Sequence, residues 1–435
     1  MPTALPVLPN AFASRPARIA HLKALFPEAA DSPDLEAIRP GGRKAALEVL
    51  SRVEPEAYAR TRNFLDGKVT RLSAYIRHGV VSIAEIRDFA LKAVPQTDRI
   101  EKFVNELGWR DFWQRIYYRI EDRIHEDIEP IKTGYRTRDY APTLPAELVA
   151  GTTRLACIDG FSQELKRTGY LHNHSRMWLA AWLVHWKRVR WQAGAAWFLQ
   201  HLLDGDPASN SLSWQWVAST FSHKPYFFNR ENLEKFTGGR YCRGCPSADS
   251  CPFDATYEDL EKQLFRAGQP ENRPAISLKV IDEDKPTAPT LRTPLLWVHD
   301  DDLNPESPLR RDYPDRPAVY VWSDAWMQRE KPSLKRLLFI QECLEELNVE
   351  VYRGQPEAIL PELAKQKGTD GILTTLTPDP SRRDAMESMA KLMRVEVVGP
   401  DPFLSREFPF DLARFSLYWN RASKYAFTPT ADGGG

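Results

Sequence analysis

CIDGFSQELKRTGYLHNHSRM at residues 157–177 and LLDGDPASNSLSWQW at residues 202–216 decide how this chain is read. Both have helical spacing. In the first, Asn173, Arg176 and Met177 stand at i, i+3 and i+4 and so share one helix face. In the second, Asp206 is a good N-cap and Pro207 suits the first helical position. Asn210 and Trp214 follow four and eight residues after Asp206, again on one face. Taken residue by residue, this is also the pattern of two buried amphipathic helices with satisfied polar groups.

Outward from this pair, helical spacing runs through most of the first 265 residues. Ile100, Phe103, Val104, Leu107, Phe112, Ile116 and Ile120 form a broad apolar stripe. A polar, Pro-rich stretch at 268–292 reads as a linker. Beyond it, the short β-rich runs LLWVH, AVYVW, VEVYRG, GILTTL and VEVVGP alternate with helical ones, which predicts a doubly wound parallel sheet. The expected fold class is therefore α plus α/β, with a helical domain at 1–267 and an α/β domain at 293–435. With 435 residues, 42% apolar and 27% charged, the chain is long enough for two or three cored domains of an ordinary globular kind. The apolar runs are too short for a membrane span and no secretory signal pattern opens the chain, so the expectation is a cytoplasmic protein, a monomer by default. Net charge is zero. Residues 1–275 carry five more basic than acidic side chains and residues 276–435 five fewer, which places any phosphate-facing surface on the first part.

TGYLHNHSRM followed by LLDGDPASNSLSWQW resembles the flavin-binding core of the photolyase/cryptochrome family. RTRNFLDGKVTRLSAYIRHGVVS at 60–82 and FVNELGWRDFW at 103–113 extend the resemblance in family order. It implies FAD as cofactor, with Tyr58, Thr70, Arg71, Leu72 and Ser73 at the diphosphate. Arg176 and Asp204 would then face the flavin ring together with Asn173, Asp206 and Asn210, Asn210 being the side chain opposite N5. The α/β domain resembles the family's antenna domain but follows the flavin domain here, which implies a circular permutation. An antenna chromophore of unknown identity goes with it.

Trp214 and Trp191 match the proximal and middle members of the family's electron-transfer chain, with indole rings in van der Waals succession. No clear distal member follows, since the loop 130–153 offers only Tyr135 and Tyr140. Glu106, Trp109, Asn173, Met177 and Trp216 match the residues that meet a cyclobutane pyrimidine dimer, where aromatic walls suit a flipped-out dinucleotide. A (6-4) photolyase needs histidine at the positions of Asn173 and Met177; His172 and His174 flank them and keep that option open.

Cys242, Cys245 and Cys251, in the pattern Tyr-Cys-x2-Cys-x5-Cys-Pro, resemble the cluster-binding end of the iron–sulfur bacterial cryptochromes and photolyases. Cys157 stands where their fourth ligand lies. Four thiolates without paired histidines suit a [4Fe–4S] cluster or a tetrahedral zinc. Cys343, on an apolar stripe, reads as an ordinary buried thiol. The resemblance implies light-driven repair of pyrimidine dimers in damaged DNA, with a blue-light photoreceptor or a (6-4) photolyase as alternatives.

Overall fold

The computed structural model describes residues 5–29, 32, 34–268, 274–278 and 287–428. Seven helices of the first part matter below: α1 (Arg15–Leu25), α2 (Ser73–Arg77), α3 (Thr97–Ile120), α4 (Ala156–Thr168), α5 (Asn173–Ala181), α6 (Trp191–His201) and α7 (Pro207–Ala218). After them come β1 (Leu295–Val298), β2 (Ala318–Ser323), α8 (Leu334–Leu347) and β3 (Glu350–Gly354). The order closes with β4 (Ile372–Thr375), α9 (Pro380–Ala390), β5 (Val395–Val398) and α10 (Phe415–Ala426).

The long helix α3 is the spine of the helical part. Its predicted apolar stripe, from Ile100 through Ile120, is buried throughout, and Gly108, Trp113 and Tyr117 are buried as well. At Gly108 the burial comes from α10, which lies against α3. A Cβ added to Gly108 would stand 2.1 Å from the Trp419 ring, so only glycine fits there. Phe415 stacks flat on Trp109, with centroids 3.8 Å apart and planes 10° apart.

The five runs read as strands form one parallel sheet in the order β3-β2-β1-β4-β5. Strands β1 and β4 are buried along their length, as a central pair covered on both faces must be. Since β1 leads to β2 on one side and neighbours β4 on the other, the crevice at their carboxyl ends is the switch point of a doubly wound sheet.

Packing does not follow a single cut near residue 267. At one end, the Leu8 amide donates to the Val351 carbonyl of β3 at 2.8 Å. The Asn10 amide donates to the carbonyls of Leu344 and Val349, at 3.0 Å each. Arg15 and Arg18 of α1 pair with Glu342 of α8 at 2.9 and 3.2 Å. So the stretch from Leu8 through α1 belongs physically to the sheet part, while α10 belongs to the helical part. Much of the expected linker, 269–273 and 279–286, lies outside the described residues. Its described portion differs from a free polar connection: Ile276 and Leu278 are buried in the main core, and the Ile276 amide donates to the Ile128 carbonyl at 2.8 Å.

A buried charge cluster joins the two parts. Arg77 of α2 reaches Asp300 at 3.2 Å and Asp301 at 2.5 Å, just past β1. Arg382 of α9 pairs with both aspartates, and the Thr377 hydroxyl donates to Asp301 at 2.6 Å. Burial alone would raise both carboxyl pKa values, but Arg382 and Arg77 outweigh it and hold them below the ordinary range. Among the described residues no helix is long and apolar enough to cross a membrane.

Candidate functional site

A cavity of about 300 Å³ opens where α2, α3, α5, α6 and α7 meet. Five of the residues expected at a flavin line it: Ser73, Asn173, Arg176, Asp204 and Asn210. Trp214, Glu106, Trp109 and Met177 line it too, so residues more than a hundred positions apart converge on one space.

The turn 202–206 sets the polar side. Asp206 caps α7 as predicted, accepting from the Ser209 amide at 2.9 Å, and Pro207 takes the first helical position. This holds Asp204 at the cavity wall. Its Oδ2 accepts from Arg176 Nη2 at 2.7 Å, and Arg176 Nε donates to the Leu171 carbonyl at 3.0 Å. Asp204 Oδ1 is buried without a hydrogen-bond partner. An unpaired buried carboxylate oxygen is costly, and an N–H or hydroxyl of a bound flavin is the kind of donor that would satisfy it. The Asn210 amide nitrogen donates to the Ala195 carbonyl at 2.9 Å, which turns its oxygen away from α6. Trp214 packs over Gly194 of α6, where an added Cβ would stand 2.2 Å from the indole.

Across from this wall, Glu106 is paired with Lys102 at 2.8 Å and Arg62 at 3.2 Å. Trp109 offers the cavity less than expected, because Phe415 already covers one ring face. Asn173 Nδ2 lies 3.4 Å from the Met177 sulfur, so these two side chains order one another.

Several expected residues stand elsewhere. Trp216 does not line the cavity; it packs against Tyr226 with centroids 5.5 Å apart. Its place follows from helix geometry, since residues two apart point to different faces and Trp214 takes the cavity face. Of Thr70-Arg71-Leu72-Ser73 only Ser73 reaches the cavity. Leu72 is fully buried in the main core, Arg71 lies over the Tyr170 ring at 4.2 Å, and the Thr70 hydroxyl accepts from the Leu72 amide at 3.3 Å. Tyr58 packs edge-on against Phe103, 5.2 Å away. Burial, then the nearby Glu106, pushes its hydroxyl pKa well up. Asp206 faces a second, larger cavity, where Gln114 and Arg110 hold it at 2.8 and 3.2 Å. Trp191 and Trp214 are not in ring contact; the ring beside Trp214 is Phe198, at 5.0 Å.

His172 and His174 do not line the cavity either. His172 Nδ1 accepts from the His174 amide at 3.1 Å, capping α5, and His174 packs against Trp178 and Phe236. Burial first, then neighbouring cationic groups, lowers both to about 4, so both are neutral near pH 7. Conversely, Arg110 and Trp113 line the cavity without having been singled out. The signal was present: positions 106, 109, 110 and 113 fall on one face of a helix.

The second cavity, about 730 Å³, lies between the helical and sheet parts, bordered by Arg110, Gln114, Asp302, Thr377 and Pro402 among others. A third, about 20 Å³, is bordered by Cys157, Cys242, Cys245 and Cys251, with Leu155, Leu233 and Phe253 around them. All are free thiols. The Cys157 thiol pKa is pushed up by burial and then by the proximity of the other three. Among the described residues, no group of three or more His, Cys, Asp or Glu side chains could hold a metal ion as placed. Cys343 is buried, and its sulfur accepts from the Gly42 amide at 3.1 Å.

Residues 103–243, which contribute most of the first cavity, match the FAD-binding domain of DNA photolyase. The match is confined to this helical domain. It is 31% identical over 168 residues to the deoxyribodipyrimidine photo-lyase of Halobacterium salinarum, covering 36% of this chain and 34% of that one. With the deoxyribodipyrimidine photo-lyase of Streptomyces griseus the identity is 36% over 151 residues, covering 35% and 32%. The chain thus spans about a third of the length of these curated relatives. A solved bacterial class III photolyase from Agrobacterium tumefaciens aligns at 24% identity with a TM-score of 0.40, over 52% of this chain and 51% of that one.

Proposed function

We propose that this chain is a light-driven DNA-repair flavoprotein that splits cyclobutane pyrimidine dimers. The observation that carries the reading is the shared cavity, with Arg176, Asp204 and Asn210 on one wall and Glu106, Trp109 and Met177 on the other. Bound FAD in its reduced form would supply light absorption and the electron that opens the dimer. Around it, Asp204 would take a donor on its unpaired Oδ1, while Arg176 holds the carboxylate in place and supplies positive charge beside the ring. Ser73 would lie at the phosphates, at the start of α2. Glu106, paired with Lys102 and Arg62, would accept from a base of the lesion, and the free face of Trp109 would lie along it.

The test is a dimer-containing oligonucleotide incubated with reduced protein, with and without blue light. Restored thymines only under illumination are expected. Equal affinity for damaged and undamaged strands at one salt concentration, with no restoration, would mean a photoreceptor instead. Repair of (6-4) products is disfavoured, because neither His172 nor His174 lines the cavity.

We also read Cys157, Cys242, Cys245 and Cys251 as ligands of a [4Fe–4S] cluster. The support is an all-sulfur donor set at one small apolar cavity. Elemental analysis should give iron and sulfide without stoichiometric zinc. The inter-part cavity is the place we assign to an antenna chromophore, and the helical-then-sheet order is read as a circular permutation of the family's arrangement.

A further inference from the structure

Trp191 opens α6, and its indole is 3% exposed. Its Nε1–H donates to Asp127 Oδ1 at 2.6 Å, and Asp127 is itself buried, at 8% exposure. That distance lies at the short end for a nitrogen donor to a carboxylate. The carboxylate is held from α7. Gln215, the residue after Trp214, donates to the Ile124 carbonyl at 3.1 Å and accepts from the Ile128 amide at 2.9 Å, clamping the loop on both sides of Asp127. Gln192 Nε2 lies 3.4 Å from the same Asp127 oxygen. Trp214 rests on Gly194, one helical turn along α6 from Trp191. Among the described residues no ring is in contact with Trp191, Trp214 included, so an electron would pass between these two indoles across the Gly194 turn, and an oxidising equivalent at Trp191 has no adjoining ring to move on to.

We propose that Asp127 is the proton acceptor for Trp191 when that indole is oxidised. The inference rests on the photochemical reading of the cavity above. One electron leaves Trp191 through Trp214 toward a photoexcited oxidised flavin. The Nε1–H bond breaks, its proton forms an O–H bond at Asp127 Oδ1, and a neutral indolyl radical and a neutral carboxyl remain. An oxidised indole is a far stronger acid than indole itself, and the acceptor already stands at hydrogen-bond distance. The proton then has a place to wait, which slows return of the electron until an external one-electron reductant restores the indole and recovers the proton from Asp127.

The experiment is flash photolysis of FAD-loaded protein, with transient absorption and electron paramagnetic resonance distinguishing neutral from cationic tryptophan radicals. Wild type should give a long-lived neutral radical whose formation slows in D2O. Asp127→Asn keeps an acceptor oxygen of similar size but cannot take the proton. It should give a cationic radical that decays at least tenfold faster, and Asp127→Glu should restore the neutral species. Trp191→Phe should remove the long-lived signal. The Trp191 indole N–H resonance of 15N-labelled holoprotein should shift in Asp127→Asn, which checks the hydrogen bond independently of photochemistry. A neutral radical of unchanged yield and lifetime in Asp127→Asn overturns the assignment and leaves the photochemical reading intact. No tryptophan radical in wild type overturns both.

Discussion

The flavin-type cavity and the Asp300–Asp301 joint are both buried, charged and built from residues distant in sequence, yet they are finished differently. At the joint both aspartates are claimed by Arg77 and Arg382, with Thr377 added on Asp301. At the cavity, Arg176 holds one oxygen of Asp204 and the other is left without a partner. A saturated cluster holds structure together, whereas a carboxylate satisfied on one side only is prepared for something that comes and goes.

The sharpest way to break this comparison is at the joint. Arg77→Ala leaves two buried aspartates relying on Arg382 and should cost about 3–5 kcal/mol, read as a lower denaturation midpoint. A loss below about 1 kcal/mol would make the joint no stronger than a surface pair. A pH scan separates the regions next. Burial lowers His172, His174, His185 and His201 to about 4 in the helical part, and His78 beside the joint to about 3. Folded values below the unfolded one mean stability fully present above about pH 6.5 and lost as pH falls toward 4. Asp300 and Asp301 follow the same sign with a lower window, starting below about pH 4. Tm should therefore fall steadily between pH 7 and 5, and a flat profile there would contradict the buried neutral histidines.

Asp204→Asn should raise the dissociation constant for FAD roughly tenfold, about 1.4 kcal/mol, with little change in denaturation midpoint. An unchanged FAD titration would remove Asp204 from the site. The smallest effect expected is that of Phe415→Leu. It gives up the flat stack on Trp109, worth roughly 0.5–1.5 kcal/mol, and should raise the accessibility of Trp109 to a fluorescence quencher.

What was legible in the sequence was whatever has a local period. The α3 stripe, the Asp206–Pro207 start of α7 and the five strands are set by spacings of 3.6 and 2 and by helix-start chemistry, and the structure has them. The convergence of Asn173, Arg176, Asp204 and Asn210 was legible only as a motif, because nothing local says that α5 and α7 meet. Trp216 was named by the motif, and its helical period, two positions from Trp214, turns it to another face of α7. The stacking of Phe415 on Trp109 joins residues about three hundred positions apart and leaves no trace in either segment. For the same reason the buried seats of Ile276 and Leu278 were hidden inside a stretch whose composition reads as linker.

The crossing of the two chain ends makes each half dependent on a piece encoded with the other. Produced as two polypeptides divided near residue 290, the first would carry α1 and the Leu8 strand edge without the sheet they rest on, and the second would carry α10 without α3. Each fragment would expose the apolar surface its counterpart covers. Fragment complementation is the natural behaviour of such an arrangement: mixed together, the pieces should find one another, and alone each should be poorly soluble. Swapping the sheet part for that of a relative would have to move α1 and α10 along with it, or leave a groove on each side of the seam.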